Sequence, residues 1–456
     1  MFFSKNRKTR RAGTTPTPNG EAETDPAPTT GTKPPLFLGN SHRTGKPVYF
    51  SGEGSLLTVG PPGTGKSRGV AVWNLLAYPG SMLVTDPKGQ LAAWSADARA
   101  ALGQEIAVLD PFGITGRPSA SVNPLAGLVR AVASGQGFRT EAERLAHLLL
   151  PDIPGAHDPY WRAGARDLVI TGLLYLAAFQ PERCDLPGLH DVLWRGETDF
   201  LENVIAPMQE KGGAFRQYGD DVEDTATKQE RSFGYFRKEA RQALAIFAPD
   251  EPCGTVCRRS DIDLSRLMAG RMTVYLILPP ELVASHGRWM GLVASHAIHS
   301  IMKAPDSGEC LFLLDEFPNL GRLTGIRDAI AQLREKGLRV WIFVQDLSQL
   351  DAVYGKDDAT AMRFQAELLQ VLGCRSVELA QYIEARAGTR TEKDVSYTIR
   401  DPLDDTAPPS PSLREIAVPE IPAAKALNMV KGRQILIRAG FPVMVGEVVL
   451  WDGPHA

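Results

Sequence analysis

Cysteine is scarce in this chain, and it does not occur in a paired pattern. The 456 residues include five cysteines, an odd number that is scattered along the sequence. This argues against a disulfide framework and favours a reducing compartment. Cys253 and Cys257 stand four positions apart, but no second Cys or His pair follows at the spacing of a zinc site, so we interpret them as ordinary thiols.

Long apolar runs and a strong excess of one charge are also missing. The longest apolar stretch, residues 168–179, is too short to cross a bilayer and predicts a buried helix. The N-terminus has no hydrophobic region after its first charges, which excludes a secretory signal. The net charge of −3 argues against wholesale wrapping by nucleic acid, although a local basic channel stays compatible with it. We therefore expect a cytoplasmic protein.

The predicted elements divide the chain into four parts. Residues 1–35 are rich in Thr, Pro, Gly and Ala and carry a basic cluster; we interpret them as a disordered arm that is either solvated or in contact with DNA or anionic lipid. Residues 36–125 alternate short apolar strands with helices. Residues 126–250 show helical periodicity alone, and strand patterns return in residues 251–456. This order predicts an α/β fold with a parallel sheet and an inserted all-helical domain.

A glycine-rich string follows the apolar run at residues 56–59. It has the form G-x-x-x-x-G-K-[ST] and consists of Gly60, Pro61, Pro62, Gly63, Thr64, Gly65, Lys66 and Ser67. Its glycines allow backbone N–H groups to turn onto phosphates, Lys66 can reach the β- and γ-phosphates, and the Ser67 hydroxyl suits Mg²⁺. A helical pattern at residues 68–77 would direct its positive end toward the anion. The string predicts binding of ATP with Mg²⁺, whereas a glycine-rich surface turn would leave Lys66 unexplained.

Two carboxylates end the strand pattern at Cys310–Leu314. Asp315 would hold Mg²⁺, directly or through water, and Glu316 would polarise the water that attacks the γ-phosphate. Strands often end in charged residues, so this pair is informative because the phosphate-binding string accompanies it. Carboxyl ends of parallel strands meet at one edge of a sheet, where ligands bind.

Two further polar residues are candidates for the same site. The strand pattern at residues 339–344 delivers Gln345 to the same edge, where its amide would bond the γ-phosphate or the attacking water; the alternative is a surface glutamine. Arg334 ends the helix before that strand. It is either an arginine finger for a neighbouring subunit or a cation favoured at a helix C-terminus.

These motifs, taken in order, resemble the coupling ATPases of type IV secretion, the TraG-like conjugative DNA-transfer family. The resemblance also rests on D-P-K-G at 86–89, N-P-L at 123–125, Trp161 with A-R-D-L at 165–168, L-L-D-E-F-P-N-L-G at 313–321, and Gln345 followed by Q-L at 349–350. The D-P-K-G and L-L-D-E-F-x-x-L-G strings are fairly specific. Two of these motifs differ from the family pattern: Asp346 stands where Ser is common, and the glycine-rich string is closer to its AAA+ form.

The resemblance implies a RecA-like P-loop NTPase sheet with an inserted all-helical domain, assembled as a homo-hexamer around a DNA channel. It implies an ATPase that delivers single- or double-stranded DNA, with relaxase or effector cargo, to a type IV secretion channel. Lys66, Ser67, Asp315 and Glu316 match the family's catalytic positions, Gln345 its third motif and Arg334 its finger position. Members typically begin with transmembrane helices, which this sequence does not show. Association with the inner face of the membrane would therefore come through partners or the basic arm.

Three other functions stay open at this point. An AAA+ remodelling ATPase shares the loop and the D-E pair, but its motifs normally lie in one compact domain, whereas here the helical part separates them. A DNA-pumping ATPase of the FtsK/HerA kind would share the ring, but the chain shows D-P-K-G and no recognisable winged-helix tail. A nucleotide-binding adaptor that does not hydrolyse ATP would not need Glu316.

Overall fold

The computed structural model describes residues 33–152, 159–305, 308–323, 325–397 and 411–453. The disordered arm predicted at residues 1–35 lies outside these ranges except for its last three residues. Residues 401–412 are rich in proline and acidic side chains, and this composition predicts an exposed loop or linker. They also lie outside the described ranges, except for residues 411 and 412. Those two residues begin a strand, so the loop prediction was wrong there.

Thirteen strands lie in the described part of the chain. They are β1 (Leu36–Ser41), β2 (Pro47–Phe50), β3 (Ser55–Val59), β4 (Ser81–Asp86), β5 (Glu105–Leu109), β6 (Met272–Ile277), β7 (Cys310–Leu314), β8 (Leu338–Val344), β9 (Ala366–Val371), β10 (Thr389–Tyr397), β11 (Pro411–Pro419), β12 (Arg433–Arg438) and β13 (Met444–Glu447).

The α-helices are α1 (Val72–Ala77), α2 (Gln90–Ala101), α3 (Ala126–Ser134), α4 (Phe138–Leu149), α5 (Tyr160–Phe179), α6 (Leu186–Trp194), α7 (Glu197–Phe200), α8 (Ala206–Lys211), α9 (Gly213–Lys228), α10 (Glu230–Leu244), α11 (Pro252–Thr255), α12 (Val283–Lys303), α13 (Ile326–Gln332), α14 (Ser348–Tyr354), α15 (Lys356–Gln365), α16 (Val377–Ala387) and α17 (Ala423–Leu427). Short 3₁₀ segments lie at Pro181–Arg183, Ala245–Phe247, Leu264–Ala269, Pro280–Leu282 and Phe317–Leu320, and π-helical turns lie at Lys66–Ala71 and Leu201–Ile205.

Eleven of the strands form one mixed sheet, in the order β2-β1-β13-β12-β9-β3-β8-β7-β4-β6-β5. The seven strands from β9 to β5 pair in parallel. Every residue of β3, β4, β6, β7 and β8 is buried. Parallel strands are covered by helices on both faces, and this explains why they appear in the sequence as continuous apolar runs.

A chain of buried hydrogen bonds joins the parallel strands to the antiparallel ones. Trp341 Nε1 donates to Thr58 Oγ1 over 2.7 Å, and the Thr58 hydroxyl donates to Gln370 Oε1 over 2.8 Å. Gln370 Nε2 then donates to Gln434 Oε1 over 2.6 Å and to the Leu38 carbonyl over 3.1 Å. These hydrogen bonds cross β8, β3, β9, β12 and β1. It satisfies polar groups that would be costly to bury alone.

Helices, without a strand, occupy the described residues between β5 and β6. The long helix α5 lies at their centre and contacts α3, α4, α6, α9 and α10. A hydrophobic core runs from one face of the sheet into these helices, and a second core covers the other face. Within the described ranges, no helix combines the length and apolarity that crossing a bilayer requires.

Strands β10 and β11 form a separate two-stranded sheet, from Thr389 paired with Pro419 to Tyr397 paired with Pro411. These strands were not predicted, because β10 is largely polar and charged and β11 shows no regular alternation of apolar and polar residues. The two strands pair with each other, so hydrogen bonding between them, and not burial, defines these strands.

Candidate active site

The glycine-rich string forms a curled loop at the carboxyl end of β3. Gly63 and Gly65 have φ values of 78° and 98°, in the left-handed region that glycine adopts without strain. A Cβ at Gly60 would lie 2.7 Å from Thr64 Oγ1, so a side chain there would disturb the loop. The buried Lys66 ammonium donates to the Gly60 carbonyl over 2.6 Å. The loop therefore holds the lysine head group against its own backbone.

A continuous helical segment follows the loop. It begins with the π-helical turns Lys66–Ala71 and continues as α1 (Val72–Ala77). The first N–H groups of a helix have no partner within it, and together with the helix dipole they attract an anion. The segment thus places backbone donors beside the Lys66 ammonium, as phosphate binding requires.

The two distant motifs meet at the edge of the sheet. Ser67 Oγ donates to Asp315 Oδ2 over 3.2 Å, and Lys66 Nζ lies 3.9 Å from Glu316 Oε1. The contact is possible because β3 and β7 run parallel in one sheet and end at the same edge. The structure therefore brings Lys66, Ser67, Asp315 and Glu316 together.

Asp315 lies between several polar groups. Its carbonyl accepts a hydrogen bond from Thr85 Oγ1 over 2.8 Å, and its Oδ1 accepts one from the Glu316 N–H over 3.0 Å. Burial raises the pKa of Asp315 to about 6, and the Glu316 charge adds to this effect, while Lys66 and Ser67 act in the opposite direction. A buried carboxylate of this kind would gain from a cation beside it.

Glu316 has an unusual backbone conformation. Its φ is 49° and its ψ is 43°. Among the residues that the structure describes, no other non-glycine residue has a positive φ. The left-handed region costs an ordinary residue about 1–2 kcal/mol. Its Oε2 accepts a hydrogen bond from Gln345 Nε2 over 2.9 Å. The carboxylate is thereby held between Lys66 and Gln345.

Gln345 reaches this position because β8 lies between β3 and β7 in the sheet. Its backbone N–H donates to Gln349 Oε1 over 3.0 Å, which fixes the turn after the strand. The neighbouring Asp346 instead accepts hydrogen bonds from Ser348 and, over 2.8 Å, from Ser376 Oγ. The Asp346 side chain therefore connects the start of α14 with the residue that precedes α16.

Arg334 does not join the site of its own chain. It is exposed and lies in the turn between α13 and β8, at the amino end of β8. Lys66 lies at the carboxyl edge, and the seven residues of β8 extend over about 20 Å between the two edges. An arginine finger at this position requires a second subunit.

Residues 448–451 lie against the helical segment that follows the phosphate loop, a contact that was not predicted from the sequence. Trp73 Nε1 donates to the Val449 carbonyl over 2.7 Å, and Arg68 donates to the Trp451 carbonyl over 3.0 Å and 2.7 Å. A Cβ at Gly69 would lie 2.2 Å from Val448 Cγ1. No motif marks this segment, so the contact follows from the tertiary fold alone.

The D-P-K-G string at residues 86–89 begins with Asp86, the last residue of β4. In the structure, the Asp86 carboxylate accepts hydrogen bonds from the N–H groups of Lys88 and Ala92, over 3.4 Å and 2.8 Å. Burial raises the pKa of Asp86 to about 6, against the effect of these bonds. The string thus forms a tight turn at the end of β4, the strand that pairs with β7 and so lies next to Asp315.

The residues present suit a magnesium ion bound with phosphates. Mg²⁺ prefers oxygen ligands and usually takes one or two carboxylates together with phosphate oxygens and water. Ser67 Oγ and Asp315 Oδ2 supply such a pair. Within the described ranges, no group of three or more His, Cys, Asp or Glu residues could hold a metal ion by itself.

A phosphate loop on one parallel strand, a carboxylate pair on another and an amide on the strand between them define a P-loop NTPase with a RecA-like sheet. The chain belongs to the family described as type IV secretory system conjugative DNA transfer, whose model matches residues 15–451.

A curated relative supports the family, and solved structures share the fold. The chain is 30% identical over 356 residues to protein VirD4 of Agrobacterium fabrum, covering 74% of this chain and 50% of that protein. It thus spans about half the length of that curated relative. The bacterial conjugative coupling protein TrwB, lacking 70 N-terminal residues and unbound, has a TM-score of 0.68 at 16% identity, covering 89% of this chain and 88% of that one. TrwB in complex with ADP and Mg²⁺ has a TM-score of 0.66 at 17% identity, covering 88% and 86%.

Proposed function

We propose that this chain is an ATP-driven motor that couples DNA, or a nucleoprotein or effector, to a type IV secretion channel. The observation that carries the proposal is the meeting of Lys66 and Ser67 with Asp315 and Glu316 at one edge of the sheet. Binding alone does not need a carboxylate next to the phosphate cradle. Hydrolysis does, because the attacking water must lose a proton.

Each residue has a defined role in the proposed reaction. Lys66 neutralises charge on the β- and γ-phosphates, and the loop formed by Gly60, Pro61, Pro62, Gly63, Thr64 and Gly65 supplies backbone donors. Glu316 accepts the proton of the attacking water, and Gln345 orients that water or the γ-phosphate. Ser67 and Asp315 would hold Mg²⁺, which offsets the charge that develops on the phosphates. The complex of TrwB with ADP and Mg²⁺ supports the binding of a nucleotide together with magnesium.

The proposed assembly is a homo-hexamer in which Arg334 of one subunit completes the site of the next. Its exposure, and its distance from Lys66 of the same chain, support a role in trans. An arginine finger stabilises the charge that develops in the transition state. We retain the division into an arm at 1–35, nucleotide-binding parts at 36–125 and 251–456, and a helical module at 126–250 as part of the proposal.

The proposed partners are single- or double-stranded DNA, relaxase or effector cargo, and components of a type IV secretion channel. The description of the family, type IV secretory system conjugative DNA transfer, supports DNA and the secretion system among them. We propose that the protein works in the cytoplasm at the inner face of the membrane, held there by partners or by its basic arm.

ATPase activity of the purified chain, with and without single- and double-stranded DNA, tests the function. We expect turnover to rise with DNA and with protein concentration, and the mass in solution to rise in parallel, because the site is completed by a neighbour. DNA affinity should fall steeply with salt if phosphates are the contacts. Nucleotide binding without turnover would overturn the motor and favour an adaptor, and a flat salt response would favour protein cargo alone.

A further inference from the structure

Helix α12 contacts the turn that follows Glu316 through two glycines. Gly287 and Gly291 lie four residues apart and therefore on the same face of the helix. A Cβ at Gly287 would lie 2.0 Å from the Asn319 carbonyl oxygen, and one at Gly291 would lie 2.3 Å from the Leu320 carbonyl oxygen. Neither position can hold a side chain unless backbone atoms move. The helix and the turn are thus in direct backbone contact.

The turn itself is firmly connected to Glu316. It is the 3₁₀ segment Phe317–Leu320, and Glu316 is the residue that precedes it. The Asn319 N–H donates to the Glu316 carbonyl over 2.9 Å. Phe317 is fully buried and stacks on Tyr354, with ring centroids 5.4 Å apart. Displacement of the Asn319 and Leu320 carbonyls would therefore move the Glu316 backbone, which already has a left-handed conformation.

The same helix also contacts the helical module. Arg288 Nη2 donates to the Gln242 carbonyl over 2.9 Å. Gln242 lies in the last turn of α10, where carbonyls lack partners within the helix and a cation is favoured. Helix α10 in turn packs against the central helix α5. Arg288 stands between the two glycines in sequence, so one helical turn of α12 contacts both the catalytic turn and the helical module.

A cavity of about 310 Å³ lies beside this junction. It is lined on one side by Arg288, Gly291 and Leu320 and on the other by Gln242 and Phe247, among others. Protein interiors are otherwise close-packed and resist small displacements. The open space allows α10 to shift relative to α12, while the Arg288 hydrogen bond connects the two helices.

We propose that α12 is a positioning element that transmits movements of the helical module to Glu316, with Gly287 and Gly291 as the contact to the catalytic turn and Arg288 as the contact to the module. The inference rests on the proposed function, because it assigns regulation to the same site. It gives the helical module a physical route to the hydrolytic step without any contact with the nucleotide.

The test compares Gly287→Ala and Gly291→Ala with wild type, using the full chain. We expect kcat to fall by about tenfold to a hundredfold, because displacing a catalytic group by about 1 Å costs this much. The Kd of ADP should stay within about twofold, since the phosphate loop is untouched. Gly234→Ala, on an exposed face of α10 with open space around it, is the matched control and should leave both values unchanged.

Amide hydrogen exchange gives a readout that does not depend on hydrolysis. Exchange in residues 316–321 should rise in both α12 glycine variants and in Arg288→Met, but not in Gly234→Ala, because the first three loosen the turn or its link to the module. If the wild type hydrolyses no ATP, the proposed function fails while exchange still tests the coupling. Unchanged exchange in Arg288→Met, or a kcat that falls only together with ADP binding in the glycine variants, would overturn the inference.

Discussion

The side-chain amide of Gln345 donates a hydrogen bond to Glu316 Oε2 over 2.9 Å. The residue that would orient the attacking water and the residue that would accept its proton are therefore already in contact. Because β8 lies between β3 and β7, this contact depends on the order of strands in the sheet. We expect the amide to exchange this bond for the γ-phosphate or the water when a triphosphate binds.

Glu316→Gln should keep ATP binding and lose turnover. The variant retains the size of the side chain but cannot accept a proton, and general-base catalysis contributes about 10² to 10⁴ in rate. Single-turnover hydrolysis and binding of a fluorescent ATP analogue would be measured together. Turnover at the wild-type rate would refute the assignment of Glu316 as the base.

Lys66→Ala should abolish hydrolysis and weaken triphosphate binding more than ADP binding. The ammonium is buried in the loop, next to Gly60 and Glu316, so water cannot replace its positive charge in the variant. Titration with the two nucleotides checks this. Lys46→Ala, which removes an exposed lysine far from the loop in sequence, serves as the control. Equal loss in both variants would mean that the effect is one of net charge.

Arg334→Ala should bind nucleotide normally and turn over slowly, because the finger acts on a neighbouring site. Mixing Arg334→Ala with Lys66→Ala subunits should restore activity above that of either alone. In such a ring the Lys66→Ala subunit supplies an intact arginine to a site that retains its lysine. Co-assembled mixtures without recovery would contradict the action in trans.

His296 should make the protein less stable in mild acid. Burial lowers its pKa from 6.5 to about 4, and Arg144 and His299 act in the same direction, while Glu141 and Asp263 oppose it. Between these two pH values the unfolded chain binds a proton that the folded chain does not. The free energy of unfolding therefore falls as pH falls from 6.5 to about 4, by roughly 3 kcal/mol at most.

The check is denaturant unfolding of wild type and His296→Gln across this pH range. The variant has no imidazole to protonate, so its free energy of unfolding should depend less steeply on pH. Parallel curves for the two proteins would show that His296 does not contribute.

Gln370→Leu should lower the free energy of unfolding by about 1–3 kcal/mol. The substitution leaves the buried Gln434 amide oxygen and the Thr58 hydroxyl without their partner, and unsatisfied buried groups carry a cost of this size. Urea unfolding measures the change, and Gln136→Leu at an exposed site is the control. A loss no larger than that of the control would mean that water replaces the amide.

Several strands could be predicted from the sequence because burial leaves a direct trace in it. The parallel strands β3, β4, β7 and β8 appear as apolar runs, and the buried helix predicted at residues 168–179 lies within α5. Strands β1, β2, β10 and β11 were missed. They owe their conformation to pairing with other segments, and a pairing partner is not visible in a local pattern.

The candidate active site was likewise predictable from the sequence only in part. The positions of Lys66, Ser67, Asp315 and Glu316 at strand ends followed from motifs, and their meeting followed from the geometry of a parallel sheet. The location of Gln345 between them depends on strand order, and the contact of Val448 and Trp451 with the phosphate loop depends on how the chain closes.

The sequence alone determined which chemical groups this protein carries and that they stand at the ends of buried strands, because phosphate binding and burial both demand particular residue types at fixed local spacing. Only the tertiary structure decided that Arg334 lies at the amino end of β8, opposite the phosphate loop. It also decided that Glu316 has a left-handed backbone and that α12 contacts the turn after Glu316. Those relations arise from contacts between segments far apart in the chain, and no local pattern encodes them.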